Sequence, residues 1–234
     1  MLHQWQGTAP FTELYIRHVF GPDDFTPALA RILAWPKALE RFSCHAFKDA
    51  PYMKHFVPTY LHTLMPYRNS LKLLEVFPDD PFRTLFSFSE FPCLETLRLS
   101  WANVRLHYVQ GARWDLLPPS LKTLGWVFTS RHDSQRWKDF ALVVEEWLPA
   151  LAQAAIARHI PLDTIEIIFD PEFNFTAEQP INDYPWDQID RLKGKLIKQG
   201  ICVKYVAPKS EWLSEYWSEF DPIPFAKDDV FEIP

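Results

Sequence analysis

The feature that most constrains this chain is a recurring hexad of the form Leu-x-x-Leu-x-Leu. It stands in full at Leu94-Glu95-Thr96-Leu97-Arg98-Leu99. Leu97 and Leu99 alternate with Arg98 and Ser100, so a short strand there turns one side inward and the other to solvent. The template also fits Phe11-x-x-Leu14-x-Ile16, Leu39-x-x-Phe42-x-Cys44 and Leu71-x-x-Leu74-x-Val76. It recurs at Leu121-x-x-Leu124-x-Trp126 and Leu162-x-x-Ile165-x-Ile167. A seventh segment, Ile201 to Val206, keeps the alternation without the leading leucine. One hexad could come from any buried strand; six of them imply a repeated unit.

The starts at 11, 39, 71, 94, 121 and 162 are separated by 28, 32, 23, 27 and 41 residues. Leucine-rich repeats run about 20–29 residues, so three intervals fit and two carry insertions. With phrases such as Trp35-Pro36-Lys37-Ala38-Leu39-Glu40-Arg41-Phe42 and Leu117-Pro118-Pro119-Ser120-Leu121-Lys122-Thr123-Leu124, residues 9–207 resemble the leucine-rich-repeat family. In particular they resemble the irregular repeat domain of fungal F-box-type proteins. The resemblance implies an α/β solenoid, a short curved arc of about seven coils with parallel strands on its concave face and helices and loops on its convex face. It also implies a non-catalytic protein-recognition module, a scaffold or adaptor that captures a partner, with ubiquitin-ligase subunits among the possible partners. The stretch before Phe11 has no room for an F-box, so the expectation is target binding, with any adaptor link supplied by another subunit.

Composition agrees with such a chain. Only 6 glycines against 21 prolines disfavour a hairpin-rich barrel, which needs positive-φ turns, and suit frequent loop-to-helix boundaries. The 3 cysteines, Cys44, Cys93 and Cys202, form no C-x-x-C pair and no even disulfide set. Cys44 and Cys202 fall in strands, where a buried thiol acts as a small apolar group. The first residues do not read as a signal peptide, and no run approaches the ~20 apolar residues of a membrane span. A cytoplasmic or nuclear location is therefore expected, without membrane association. Seven acidic residues and two lysines between Pro208 and Pro234 hold −5 of the net charge of −6. The remainder is nearly neutral and carries no basic patch, so nucleic acid is not an expected partner.

Three units are expected: the repeat domain over 1–207, a capping helix over 208–220, and an acidic, proline-containing tail over 221–234 that reads as extended or disordered. Within the repeats, Thr26-Pro27 predicts a helix start ahead of Ala28–Leu33. Leu61, Leu64 and Met65 predict a helix from about 58 to 65. The strongest helical stripe runs from Trp137 to Leu151, with Ser134 as its cap and Pro149 expected to kink or split it. Residues 183–199 form another helix, ended by Gly200. Val104–Val109 is a candidate extra strand. In the cap, Trp212, Leu213, Tyr216, Trp217 and Phe220 share one helical side and would cover the open end of the core, although self-association through it is an alternative use.

The polar hexad positions define the expected site. The residue between the last two apolar positions gives Tyr15, Ser43, Glu75, Arg98, Gly125, Glu166 and Cys202. Two residues further come Arg17, His45, Phe77, Ser100, Val127, Ile168 and Lys204, and two earlier lie Glu13, Arg41, Leu73, Thr96, Thr123 and Thr164. Neighbouring strands stand about 4.8 Å apart, so Arg41, Glu75 and Arg98 are expected to form a charged network. Tyr15, Arg17, His45 and Phe77 make a mixed aromatic and basic patch. These residues, with Glu166, are the candidate partner-binding set, because tyrosine and arginine are the side chains on which interfaces concentrate energy. The plainer reading is that the charges only neutralise one another.

Catalytic patterns are lacking. No H-E-x-x-H, H-x-H, G-x-S-x-G, G-x-G-x-x-G or P-loop occurs, so no metal or cofactor is implied. Cys44 and His45 are strand neighbours and point to opposite sides, which rules out a nucleophile–base pair between them. Asp163, Glu166, Asp170 and Glu172 read as a solvated acidic edge, with only Glu166 and Asp170 on the concave side. His107, His132 and His159 are expected in loops or at helix ends. Trp101, Trp114, Trp126, Trp137 and Trp147 read most simply as core filling. An enzyme or small-molecule-binding protein with a Trp-lined pocket is the alternative.

Overall fold

A computed structural model describes residues 7–17, 25–45, 62–77, 87–100, 116–128, 143–169 and 185–206. Each of the seven segments picked out by alternation is a strand: β1 (Glu13–Arg17), β2 (Arg41–His45), β3 (Leu73–Phe77), β4 (Thr96–Ser100), β5 (Thr123–Phe128), β6 (Thr164–Phe169) and β7 (Cys202–Val206). All pair in parallel, in sequence order, as one seven-stranded sheet. The described helices between them are α1 (Phe25–Leu33), α2 (Leu148–Ala157) and α3 (Pro185–Leu196). None is long and apolar enough to cross a membrane.

The hexad explains this arrangement position by position. Its leading residue, at Leu39, Leu71, Leu94 and Leu121, is fully buried ahead of each strand. The fourth residue supplies a cross-strand ladder of Leu14, Phe42, Leu74, Leu97, Leu124, Ile165 and Val203, which share one register position. From Phe42 to Ile165 these are at most 3% exposed. Fully burying such a side chain is worth about 1.5–3 kcal/mol, so the ladder stabilises the stack along its whole length.

A second ladder, of backbone bonds, locks the register. The residue before each of β1 to β5 offers one carbonyl to two N–H groups of the next unit. Thr12 accepts from Glu40 and Arg41, Glu40 from Lys72 and Leu73, Lys72 from Glu95 and Thr96, Glu95 from Lys122 and Thr123, and Lys122 from Asp163 and Thr164, all at 2.7–3.1 Å. Side chains at this edge alternate in sign, with Lys72 Nζ 2.9 Å from Glu40 and Lys122 Nζ 3.1 Å from Glu95. The ion pair with Glu40 is also what raises the Lys72 ammonium above its ordinary range. Serine hydroxyls add further bonds between units, from Ser70 to the Leu39 carbonyl at 2.9 Å and from Ser120 to that of Pro92 at 2.6 Å. Tyr67 donates its buried hydroxyl to the carbonyls of Leu33 and Pro36, and burial raises its pKa.

Helix boundaries depart from the sequence reading in understandable ways. Helix α1 starts at Phe25, one residue before the expected Thr26 cap. The helix expected over 58–65 is described from 62, and a 3₁₀ turn extends it over Met65–Tyr67. Pro149 sits in the first turn of α2, and a π-helical turn, Val143–Trp147, precedes it. Proline has no N–H, and its ring crowds the carbonyl four residues back, so the ladder widens before it. Helix α2 then continues to Ala157, beyond the predicted stripe. Helix α3 ends as expected through a 3₁₀ turn, Ile197–Gln199, with Gly200 at φ 80°. The expected strand at 104–109, the cap over 208–220 and the tail over 221–234 lie outside the described residues.

Candidate functional site

On the side of the sheet opposite the core ladder, the register aligns Tyr15, Ser43, Glu75, Arg98, Gly125, Glu166 and Lys204 in one row. Six of these seven are as the hexads predict. The seventh is a correction: Lys204, not Cys202, stands opposite Glu166, and Cys202 pairs with Thr164. The leading leucine that sets strand position is missing in the last unit, so sequence spacing misjudged it by two residues, which preserves the side but shifts the row. Cys202, on the polar side of this edge strand, is exposed, whereas Cys44 lies in the core as expected.

Four members of the row form one hydrogen-bonded chain. Ser43 donates its hydroxyl to Glu75 Oε2 at 2.8 Å. The other oxygen of Glu75, Oε1, accepts from Arg98 Nη1. Arg98 then spans strand β5 and donates from Nε to Glu166 Oε2 at 2.8 Å. One guanidinium on β4 is therefore held between carboxylates on β3 and β6. Ser43 and Glu75 are buried, and the Arg98 and Glu166 side chains are 20% and 15% exposed.

The span requires the glycine between them. A Cβ at Gly125 would overlap Arg98 Cγ and lie 3.0 Å from Cδ. The backbone of β5 thus forms a saddle for the aliphatic part of Arg98. Glycine serves here through its missing side chain, because a strand interior otherwise disfavours it.

Electrostatics settle the ionisation of this group. Desolvation pulls the Arg98 pKa down, but the hydrogen bonds and charges of Glu166 and Glu75 outweigh it, and the net shift is upward. Arg98 thus keeps its proton and serves as a fixed cation rather than an acid or base. Two carboxylates around one guanidinium leave a local charge of −1, with the Lys204 position next in line.

The remaining candidates are divided between neighbouring rows. Arg41 does not belong with Glu75: it stands opposite Leu73 and Glu13, and its Nε is 3.8 Å from Glu13. The expected triad of Arg41, Glu75 and Arg98 is therefore replaced by Glu75, Arg98 and Glu166. Tyr15 is 49% exposed at the β1 end of the row. Arg17, His45 and Phe77 share the next register row, but their side chains lie outside the described part. Farther along that row Val127 and Ile168 pair and are buried, as is Leu73 in the row of Arg41. The hexad positions place Ser43 and Gly125 in the row but assign them no role. A lone glycine between two long charged hexad residues was the available signal.

No group of three or more His, Cys, Asp or Glu side chains suited to a metal occurs among the described residues. Trp126 and Trp147 are core residues, 1% exposed. His159 ends α2, as expected, with φ 57°. Trp101, Trp114, Trp137, His107, His132, Asp170 and Glu172 lie outside the described residues. Compared with family models, curated proteins and solved structures, the chain matches none of them.

Proposed function

We propose that the chain is a leucine-rich-repeat-type solenoid that recognises a protein partner on the polar side of its sheet, taken as the concave side of the arc. The observation that carries this reading is the hydrogen-bonded Ser43–Glu75–Arg98–Glu166 chain, which continues toward exposed Tyr15 at one end and Lys204 at the other. A recognition surface gains affinity from charges and aromatics already held in place, because ordering them on binding would cost free energy. Buried Glu75 would act through Arg98, and the direct contacts would come from Tyr15, Arg98, Glu166 and Lys204, with Arg17, Arg41, His45 and Phe77 around them. A role in substrate capture for ubiquitin ligation, alongside ligase subunits, belongs to the same proposal.

The test is affinity capture with mass-spectrometric identification, comparing the wild type with a Tyr15→Ala/Lys204→Glu variant shown to be folded by circular dichroism. Both changes are at exposed positions outside the buried chain. A protein retained by the wild type and lost with the variant supports recognition through this side. Equal capture by both proteins would sink it, and ubiquitin-ligase subunits among the lost proteins would support the capture role.

A further inference from the structure

We infer that β1 is a self-complementary edge through which two copies of this chain pair in antiparallel fashion. The Thr12 carbonyl accepts the Arg41 N–H and so faces β2. In a strand, successive residues turn their N–H and C=O groups to alternate edges, so Glu13, Tyr15 and Arg17 turn theirs away from β2. Among the described residues no strand pairs with that edge.

The sequence Glu13-Leu14-Tyr15-Ile16-Arg17 reads complementarily against itself when reversed. A two-fold axis at Tyr15 sets Tyr15 opposite Tyr15 of the second copy, and Glu13 opposite Arg17 of the second copy, twice. These are the same three residues whose backbone groups point outward, so each pair is of the hydrogen-bonded kind. Opposite charges and paired aromatics are the favourable cross-strand combinations. The symmetry also makes the contact isologous and closed.

The core points to the same end of the molecule. Leu14 and Ile16 are only partly buried, whereas the equivalent residues of β2 to β6 are at most 3% exposed. A second copy there would continue the core ladder beyond β1. It would also run the polar rows of two molecules into one surface, joined at the Tyr15 pair.

Sedimentation velocity over a concentration series tests this directly. The wild type should shift from 27.6 kDa toward twice that mass as concentration rises, and less so at high salt. Glu13→Arg alone and Arg17→Glu alone each set like charges opposite one another and should remain monomeric. The double variant Glu13→Arg/Arg17→Glu should dimerise again, as should an equimolar mixture of the two single variants. Intramolecular repair cannot mimic that recovery, because positions 13 and 17 are about 13 Å apart along the strand. Loss of the 3.8 Å contact of Glu13 with Arg41 is likewise not repaired by the swap. A wild type that stays monomeric to its solubility limit overturns the inference. So do single variants that dimerise like the wild type, or folded single variants that fail to pair when mixed.

Discussion

The two sides of the sheet are built from alternating residues of the same strands, yet they are stabilised differently. On the core side, two apolar residues per strand pack on those of the neighbouring strands, and every rung from Phe42 to Ile165 resembles the next. On the polar side, Ser43, Glu75, Arg98 and Glu166 have distinct tasks, and Arg98 connects strands that are not adjacent. The apolar ladder is a sum of similar local contributions. The polar chain is cooperative: losing its central member strands the others. The difference follows from directionality, since hydrophobic burial asks only for area and volume, whereas a buried charge needs a particular partner at a particular atom.

Breaking a rung of the ladder should have the largest effect. Phe42→Ala removes a fully buried aromatic ring and should cost about 3–5 kcal/mol in denaturant unfolding. Its cost should not depend on Arg98, and a double-mutant cycle between the two sites measures that independence. Arg98→Met retains most of the side-chain volume but leaves Glu75 and Glu166 without their cation. It should cost about 3 kcal/mol at neutral pH, toward the lower end for a broken buried pair because Glu166 is partly solvated. Denaturant unfolding of the variant beside the wild type at neutral pH measures the loss.

Gly125→Ala sharpens the comparison, since it adds one methyl group and removes no contact. Arg98 must move off the saddle, and a cost of about 1–3 kcal/mol is expected from overpacking. In an Arg98→Met background the added methyl meets a more pliable chain, so its cost should fall; equal costs in both backgrounds would contradict the saddle. Tyr67→Phe, in the buried core but outside the ladder, should cost about 1 kcal/mol, the net value of a hydrogen bond. The Tyr67 pKa is raised on folding, so its contribution is complete below pH 10 and declines above it. The variant should flatten the alkaline limb of the stability profile.

The smallest effect compares two chain reversals. Helix α2 and the turn after α3 finish with the same backbone bond, Ile160 N–H to the Ala155 carbonyl in one and Ile201 N–H to the Leu196 carbonyl in the other, at 2.9 and 3.1 Å. His159 holds the left-handed position in the first and Gly200 in the second. His159→Gly should raise stability by about 0.5–1 kcal/mol, the relief of left-handed strain less the added chain entropy of glycine. Thermal unfolding of the variant beside the wild type measures the gain.

Much of this architecture was legible in the sequence. A period of two within each hexad marks a strand with one buried side, and a leading leucine marks where that strand begins; six strands could be placed and aligned from these cues alone. The seventh, with no leading leucine, was placed on the correct side but two residues out of register. The candidate site was legible as a row and not as a network. Glu75, Arg98 and Glu166 stood out as polar hexad residues, but so did Arg41, and spacing could not tell which carboxylates Arg98 would reach. The tertiary structure decided that choice, because it depends on side-chain length and clearance across neighbouring strands. Arg98 extends over β5 only where Gly125 leaves space, and Arg41 is carried one row away to Glu13. Alternation along the chain is a local property that sequence encodes directly. Which charge meets which across strands is a property of register and free volume, and it exists only once the strands are assembled.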